Sequence, residues 1–156
     1  MQTRSGADVV VDGDVVHKLH RAGTDPRVLA QRLRIAHGST ALLSPLRAVP
    51  DAVGQRWQTH WPRVECVVPE PECAPWAAAG ALLAALHTEP VPKRAPVHGW
   101  PQRLRRTVAS LRGRRGPVRH AAVTLPDAVW RAGTPGRPAT LVHGDFHLGQ
   151  LGRRGP

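Results

Sequence analysis

Leu141-Val142-His143-Gly144-Asp145-Phe146-His147-Leu148-Gly149-Gln150-Leu151 is the most informative stretch of this chain. It sets one carboxylate between two imidazoles, directly after an apolar run and a glycine. That is unusual for a core segment or a plain turn. Asp145 in such a place can accept a proton from a hydroxyl, and His143 can hold the loop through side-chain hydrogen bonds. Gln150 can offer an amide oxygen to a cation. The competing structural reading is a polar turn whose histidines only satisfy backbone groups; the combined pattern argues against it more than any one histidine does.

Upstream of this stretch, Ala139–Val142 reads as a short strand and Leu125–Trp130 as one or two helical turns. Residues 101–113 form a candidate basic helix, with Leu104, Val108 and Leu111 at i, i+4 and i+7, ended by Gly113 to Gly116. Trp76 to His87 is an Ala/Leu helix stopped by Pro90 and Pro92, with Trp76, Ala79, Leu82, Leu83 and Leu86 on one face. The amino-terminal half differs. Val9-Val10-Val11 and Val15-Val16 flank Asp12-Gly13-Asp14, which predicts a hairpin whose second strand continues through His17-Lys18-Leu19. Asp25 then caps a helix with Pro26 at its first position and Gly38 at its end. Leu42–Val49 and Val53–Val68 read as further short strands, and Pro69-Glu70-Pro71-Glu72 as a rigid acidic connector. Strands first and helices second predict an α+β fold: a β-rich segment over 1–68 with one helix, a linker over 69–74, and a helical part over 75–156.

The chain has 156 residues, 22 Lys and Arg against 11 Asp and Glu, and a formal net charge of +11. Its length suits one domain with a sizeable core. With five Trp, one Phe and no Tyr, that core must be built mainly from Leu, Val and Ala. Residues 1–89 carry nine basic and nine acidic side chains, whereas 90–156 carry thirteen basic ones against Asp127 and Asp145 alone. Arg, Gly, Pro and Ala share GC-rich codons, which is one source of such a bias; a site for the phosphates of a nucleotide or a nucleic acid is another. The longest Pro-free apolar run, Trp76–Leu86, falls short of the ~20 residues that span a bilayer. Asp8 precedes any sustained apolar stretch, so no secretory signal is read and a cytoplasmic protein is expected. Cys66 and Cys73 provide neither a disulfide framework nor a CxxC zinc spacing.

His143-Gly-Asp145-Phe-His147-Leu-Gly-Gln150 resembles the catalytic loop of the aminoglycoside phosphotransferase and choline kinase-like family, whose usual pattern is H-G-D-x-H-x-x-N. The ending in H-L-G-Q looks like that of maltokinase-like members. The resemblance implies a protein-kinase-like fold, with a small β-rich lobe and the first part of a helical lobe. It implies transfer of the γ-phosphoryl group of ATP or GTP to a hydroxyl of a small molecule, such as an aminoglycoside or a sugar. Asp145 would be the catalytic carboxylate, His143 and His147 would support the loop, and Gln150 would hold Mg²⁺ in place of the usual Asn. Lys18 would meet the nucleotide phosphates, and Trp57–Val68 would supply the hinge that pairs with adenine.

The chain departs from the family pattern in four places. The helix 26–36 holds no Glu or Asp to pair with Lys18, Gln31 being its nearest polar candidate, and no glycine-rich phosphate loop is present. The sequence stops six residues after Gln150, before the family's second metal-binding aspartate and its later helices, which implies a truncated enzyme of impaired activity. Apolar surface left uncovered would favour self-association. From a different class, Arg103, Arg105, Arg106, Arg112, Arg114, Arg115 and Arg119 make a candidate nucleic-acid-binding patch. A metal hydrolase built on His143, Asp145 and His147 is a weaker alternative, since alternating side chains on a strand would not all face one ion.

Overall fold

A computed structural model describes residues 6–66, 72, 74–111, 113, 116–131, 136–144, 146 and 151–153. The architecture is α+β, and it divides into two units. The first comprises residues 1–96 with 140–156, the second residues 97–139. No described helix is long and apolar enough to cross a membrane.

The first unit starts with the expected hairpin, β1 (Asp8–Asp12) and β2 (Val15–Leu19). Its loop is the pair Gly13-Asp14, and Gly13 has a φ of 55°. A positive φ at the first of two loop residues alone is the type II′ pattern, whose twist suits a hairpin and which glycine takes without strain. A second hairpin has the same design: β3 (Asp51–Val53) and β4 (Arg56–Pro62) flank Gly54-Gln55, with φ 57° at Gly54. β2 pairs antiparallel with β4, so the four-stranded sheet runs β1-β2-β4-β3.

Side chains alternate across this sheet, and the register sorts them. Lys18, Thr59, Trp57 and Trp61 share one face; His17, His60, Arg56 and Asp8 share the other. Thr59 is the most buried polar residue. Its hydroxyl takes the Trp61 Nε1–H at 3.0 Å and meets His20 Nε2 at 3.1 Å, so it is not stranded without partners. On the opposite face Arg56 ties three segments together. Its Nε–H donates to the His20 carbonyl at 2.7 Å, one NH2 group to the Leu19 carbonyl at 3.1 Å, and the other to Asp8 at 2.7 Å.

Helix α1 (Pro26–Gly38) is capped as its sequence requires: the Asp25 carboxylate accepts from Arg27 N and Val28 N. Leu29, Leu33 and Ala36, at i, i+4 and i+7, are its buried stripe. Burying each leucine contributes about 2 kcal/mol. Side chains of α1 and Trp57 line one recess, so the helix lies over the Lys18–Thr59 face of the sheet.

Residues 42–49 form no strand, contrary to the reading of their sequence. The Ser39 hydroxyl accepts from Ala41 N and Leu42 N, and Pro45 has no N–H to give to a ladder. The segment instead touches the sheet through Leu46 N, which donates to the His60 carbonyl at 2.9 Å. Over 53–68 the expected short strands are present in the described part: the Gly54 turn and residues 63–64 divide it among β3, β4 and β5 (Glu65–Cys66). The proposed connector 69–72 lies largely outside the described residues.

Helix α2 (Trp76–Thr88) is apolar all round, yet it buries only Ala79 and Leu86, leaving Trp76 and Leu82 exposed. Its C-terminal end is fastened to that of α1 through Glu89. One carboxylate oxygen accepts from Ser39 Oγ at 2.8 Å, Thr40 N at 2.8 Å and Thr40 Oγ1 at 3.2 Å. Burial pushes the Glu89 carboxyl up, but these hydrogen bonds together outweigh it and hold the group below its ordinary range.

The second unit holds α3 (Trp100–Ser110), α4 (Pro117–Val123) and a single 3₁₀ turn, Asp127–Trp130. The basic helix expected over 101–113 therefore ends earlier, where Leu111 N closes the last turn on Val108 O. α4 had no counterpart in the sequence reading, although Gly116 before Pro117, at its first position, is a helix-start signal.

Candidate functional site

Lys18 lies on β2, one of the two inner strands of the sheet, between Val9 and Thr59 and half-buried. Two residues on, His20 leaves the strand and reaches Thr59. Burial drives the His20 imidazole down from 6.5 to about 4, and the positive charges of Lys18, Arg32 and Arg56 push the same way. The histidine is therefore neutral at pH 7, and its corner of the sheet carries a surplus of cations. Of these, Arg56 pairs with Asp8, while Lys18 has no ion pair among the described residues. Gln31, the polar candidate on α1 for a partner to Lys18, makes no hydrogen bond with it and lines a recess with Trp57 instead. Arg32 and His20 were not singled out from the sequence.

Around the H-G-D loop the structure describes His143, Gly144 and Phe146, whereas Asp145, His147 and Gln150 lie outside the described residues. The His143 ring meets the Phe146 ring edge to face, with centroids 5.6 Å apart at 82°. Gly144 has a φ of 83°, a conformation that only glycine takes freely, so the middle residue of His-Gly-Asp is fixed by the backbone. The expected strand at 139–142 is absent from the structure; these residues follow Pro138 without a ladder. A strand appears on the far side of the loop instead. β6 (Gly152–Arg153) pairs antiparallel with β5, Gly152 opposite Cys66 and Arg153 opposite Glu65. Leu151 beside it is buried. The two strands approach so closely that a Cβ on Gly152 would stand 2.6 Å from Val64 Cγ2. The exit of the loop is thereby tied to the chain just after β4.

An amide oxygen such as that of Gln150 and a carboxylate such as that of Asp145 are the hard donors Mg²⁺ takes, and the cationic corner at Lys18 suits phosphates. Among the described residues no group of three or more His, Cys, Asp or Glu could hold a metal ion. In the second unit, Arg103, Arg105 and Arg106 are exposed on α3; Arg112, Arg114 and Arg115 lie outside the described residues. Two of the arginines serve the fold: Arg105 donates to the Trp130 carbonyl at 2.9 Å and Arg119 to the Leu111 carbonyl at 3.0 Å.

Compared with protein-family models, with curated proteins and with solved structures, the chain matches none.

Proposed function

We propose that the chain is a kinase-like phosphotransferase that moves the γ-phosphoryl group of ATP or GTP to a hydroxyl of a small molecule. The observation that carries this reading is the β5–β6 ladder. Phosphoryl transfer is mostly positioning and electrostatics, so a strand cation, the segment after the sheet and the catalytic loop must surround one nucleotide. The pairing of Glu65–Cys66 with Gly152–Arg153 supports such an arrangement, because it joins the last two of these across the 85 residues between Cys66 and Gly152. The unpaired charge of Lys18 supports a phosphate contact on the inner part of the sheet. In this reading Lys18 holds nucleotide phosphates. Asp145 orients the acceptor hydroxyl and takes its proton as the oxygen attacks phosphorus, and His143 and His147 hold the loop. Gln150 would hold Mg²⁺, which when bound neutralises charge on the phosphates.

The test is nucleotide binding and acceptor-dependent ADP release. Lys18→Ala should weaken ATP binding at least ~10-fold, while Lys93→Ala, in the proline-rich segment 90–96, should leave it unchanged. Asp145→Asn should lower turnover at least ~100-fold with little change in nucleotide affinity. Equal effects of the two lysine changes, or undiminished turnover without Asp145, would remove the reading.

A further inference from the structure

We propose that the recess between α1 and the β3–β4 edge of the sheet, which Lys18 does not line, binds a small planar aromatic anion. The recess is shallow and open to solvent, with a volume of about 400 Å³. Arg27, Gln31 and Arg34 line it from the helix, and Trp57 and Pro50 from the sheet side. Arg27 and Arg34 are seven residues apart, so they leave the helix in nearly the same direction, about 10 Å apart along its axis, with Gln31 between them. Both are exposed, and neither has an ion pair among the described residues. The nearest carboxylates in sequence are already engaged. Asp25 accepts from the first amides of α1, and Asp51 is held by Arg47 and by His60 Nε2 at 2.7 Å.

Nothing in the helix itself accounts for Arg27, which stands in the first turn, where the helix dipole disfavours a cation. Trp57 is half-buried, and neither guanidinium stacks on its ring: the ring contacts among the described residues are between His17 and His60 and between His143 and Phe146. Two unpaired guanidinium groups, a side-chain amide and an indole in one recess match a ligand that stacks on the indole. Its carboxylate, sulfonate or phosphate would take the forked hydrogen bonds of an arginine. A neutral ring would leave both cations unanswered, and a non-aromatic anion would leave the indole uncovered.

The test uses the full chain and three probes by titration calorimetry: 2-naphthoate, the neutral 2-naphthylmethanol, and cyclohexanecarboxylate. Saturable binding of 2-naphthoate is expected, at least ~10-fold tighter than either of the others, with ATP in excess making no difference. Arg27→Gln with Arg34→Gln should weaken it at least ~10-fold with the fold intact by circular dichroism, whereas Arg103→Gln with Arg106→Gln should not. Trp57→Phe keeps a ring and should retain most of the affinity. Equal binding of the alcohol and the acid, undiminished affinity in the Arg27/Arg34 variant, competition by ATP, or no saturation below ~1 mM would each overturn the proposal.

Discussion

Acid should destabilise this fold through His20 before it reaches any carboxylate. In the folded chain the imidazole stays neutral down to about pH 4, because burial and the charges of Lys18, Arg32 and Arg56 oppose its protonation. In the unfolded chain it protonates near its ordinary value of 6.5. Between the two the unfolded state binds more protons, so stability is intact above about pH 6.5 and is lost as the pH falls towards 4. At full weight that displacement corresponds to roughly 3 kcal/mol. His20 is only partly buried, so solvent screens the neighbouring charges and the loss is nearer to about 1.5 kcal/mol. For a chain of this size that lowers Tm by about 5 °C. The measurement is Tm by circular dichroism from pH 7.5 to 4.5 for the wild type and His20→Gln, whose amide keeps a polar group near Thr59 but does not titrate. The variant should start lower in Tm and fall less over the interval. Because every other side chain is common to both proteins, the difference between the curves isolates His20. Parallel curves would show that the imidazole is not held neutral, and with it the cationic character of the Lys18 corner would be lost as an argument.

Thr59→Val keeps the shape of the buried side chain but leaves Trp61 Nε1–H without its acceptor, and should cost about 1–3 kcal/mol in urea denaturation. Gly152→Ala would place a methyl group inside the radius of Val64, so β5 and β6 should part; hydrogen exchange at Cys66 and Arg153 should rise while that of β1 and β2 does not. Glu89→Gln should lower Tm at pH 7. Because the folded carboxyl is held below its unfolded value, the advantage of the wild type should vanish as the pH falls through that folded value. Leu82→Glu, on the exposed face of the apolar helix α2, should reduce any self-association seen by sedimentation velocity, since one buried charge disrupts an apolar contact.

Some signals in the sequence that depend on backbone chemistry alone were read correctly. Asp12-Gly13-Asp14 marked the first hairpin, and Asp25-Pro26 marked the start of α1, because a glycine loop and a capped first turn depend on neighbours in sequence. Other local signals were passed over. Leu42–Val49 has the apolar content of a strand, but the Ser39 hydroxyl and Pro45 take its backbone out of any ladder. Val53–Val68 was read as short strands, but the hairpin turn at Gly54 was not picked out, although its marker equalled the one used correctly at Gly13. The candidate site follows the same division. Lys18 could be placed on its strand, whereas Arg32 and Arg56 join it in acting on His20 only through the β2–β4 register and the position of α1.

The β5–β6 ladder shows why a motif needs its long-range partner before it means anything. His143-Gly144-Asp145 could be quoted from the sequence, but no periodicity in two-residue strands predicts that Gly152 meets Cys66. What makes the pairing possible is the missing side chain at Gly152, with Val64 filling the space where a Cβ would stand and Leu151 buried alongside. A close approach of that kind is compatible with a nucleotide site, since the base of a bound nucleotide lies beside the segment after the sheet while its phosphates reach the strand cation. It is equally required by a purely structural closure of the first unit. The two differ in one respect: a structural ladder depends on Gly152 alone, whereas a nucleotide site couples that ladder to Lys18. ATP should therefore slow exchange at Cys66 and Arg153 in the wild type and leave it unchanged in Lys18→Ala, although Lys18 is paired in register with β1 and β4 and with neither of these strands. Protection that survives the loss of Lys18 would assign β5–β6 to the fold and not to the chemistry.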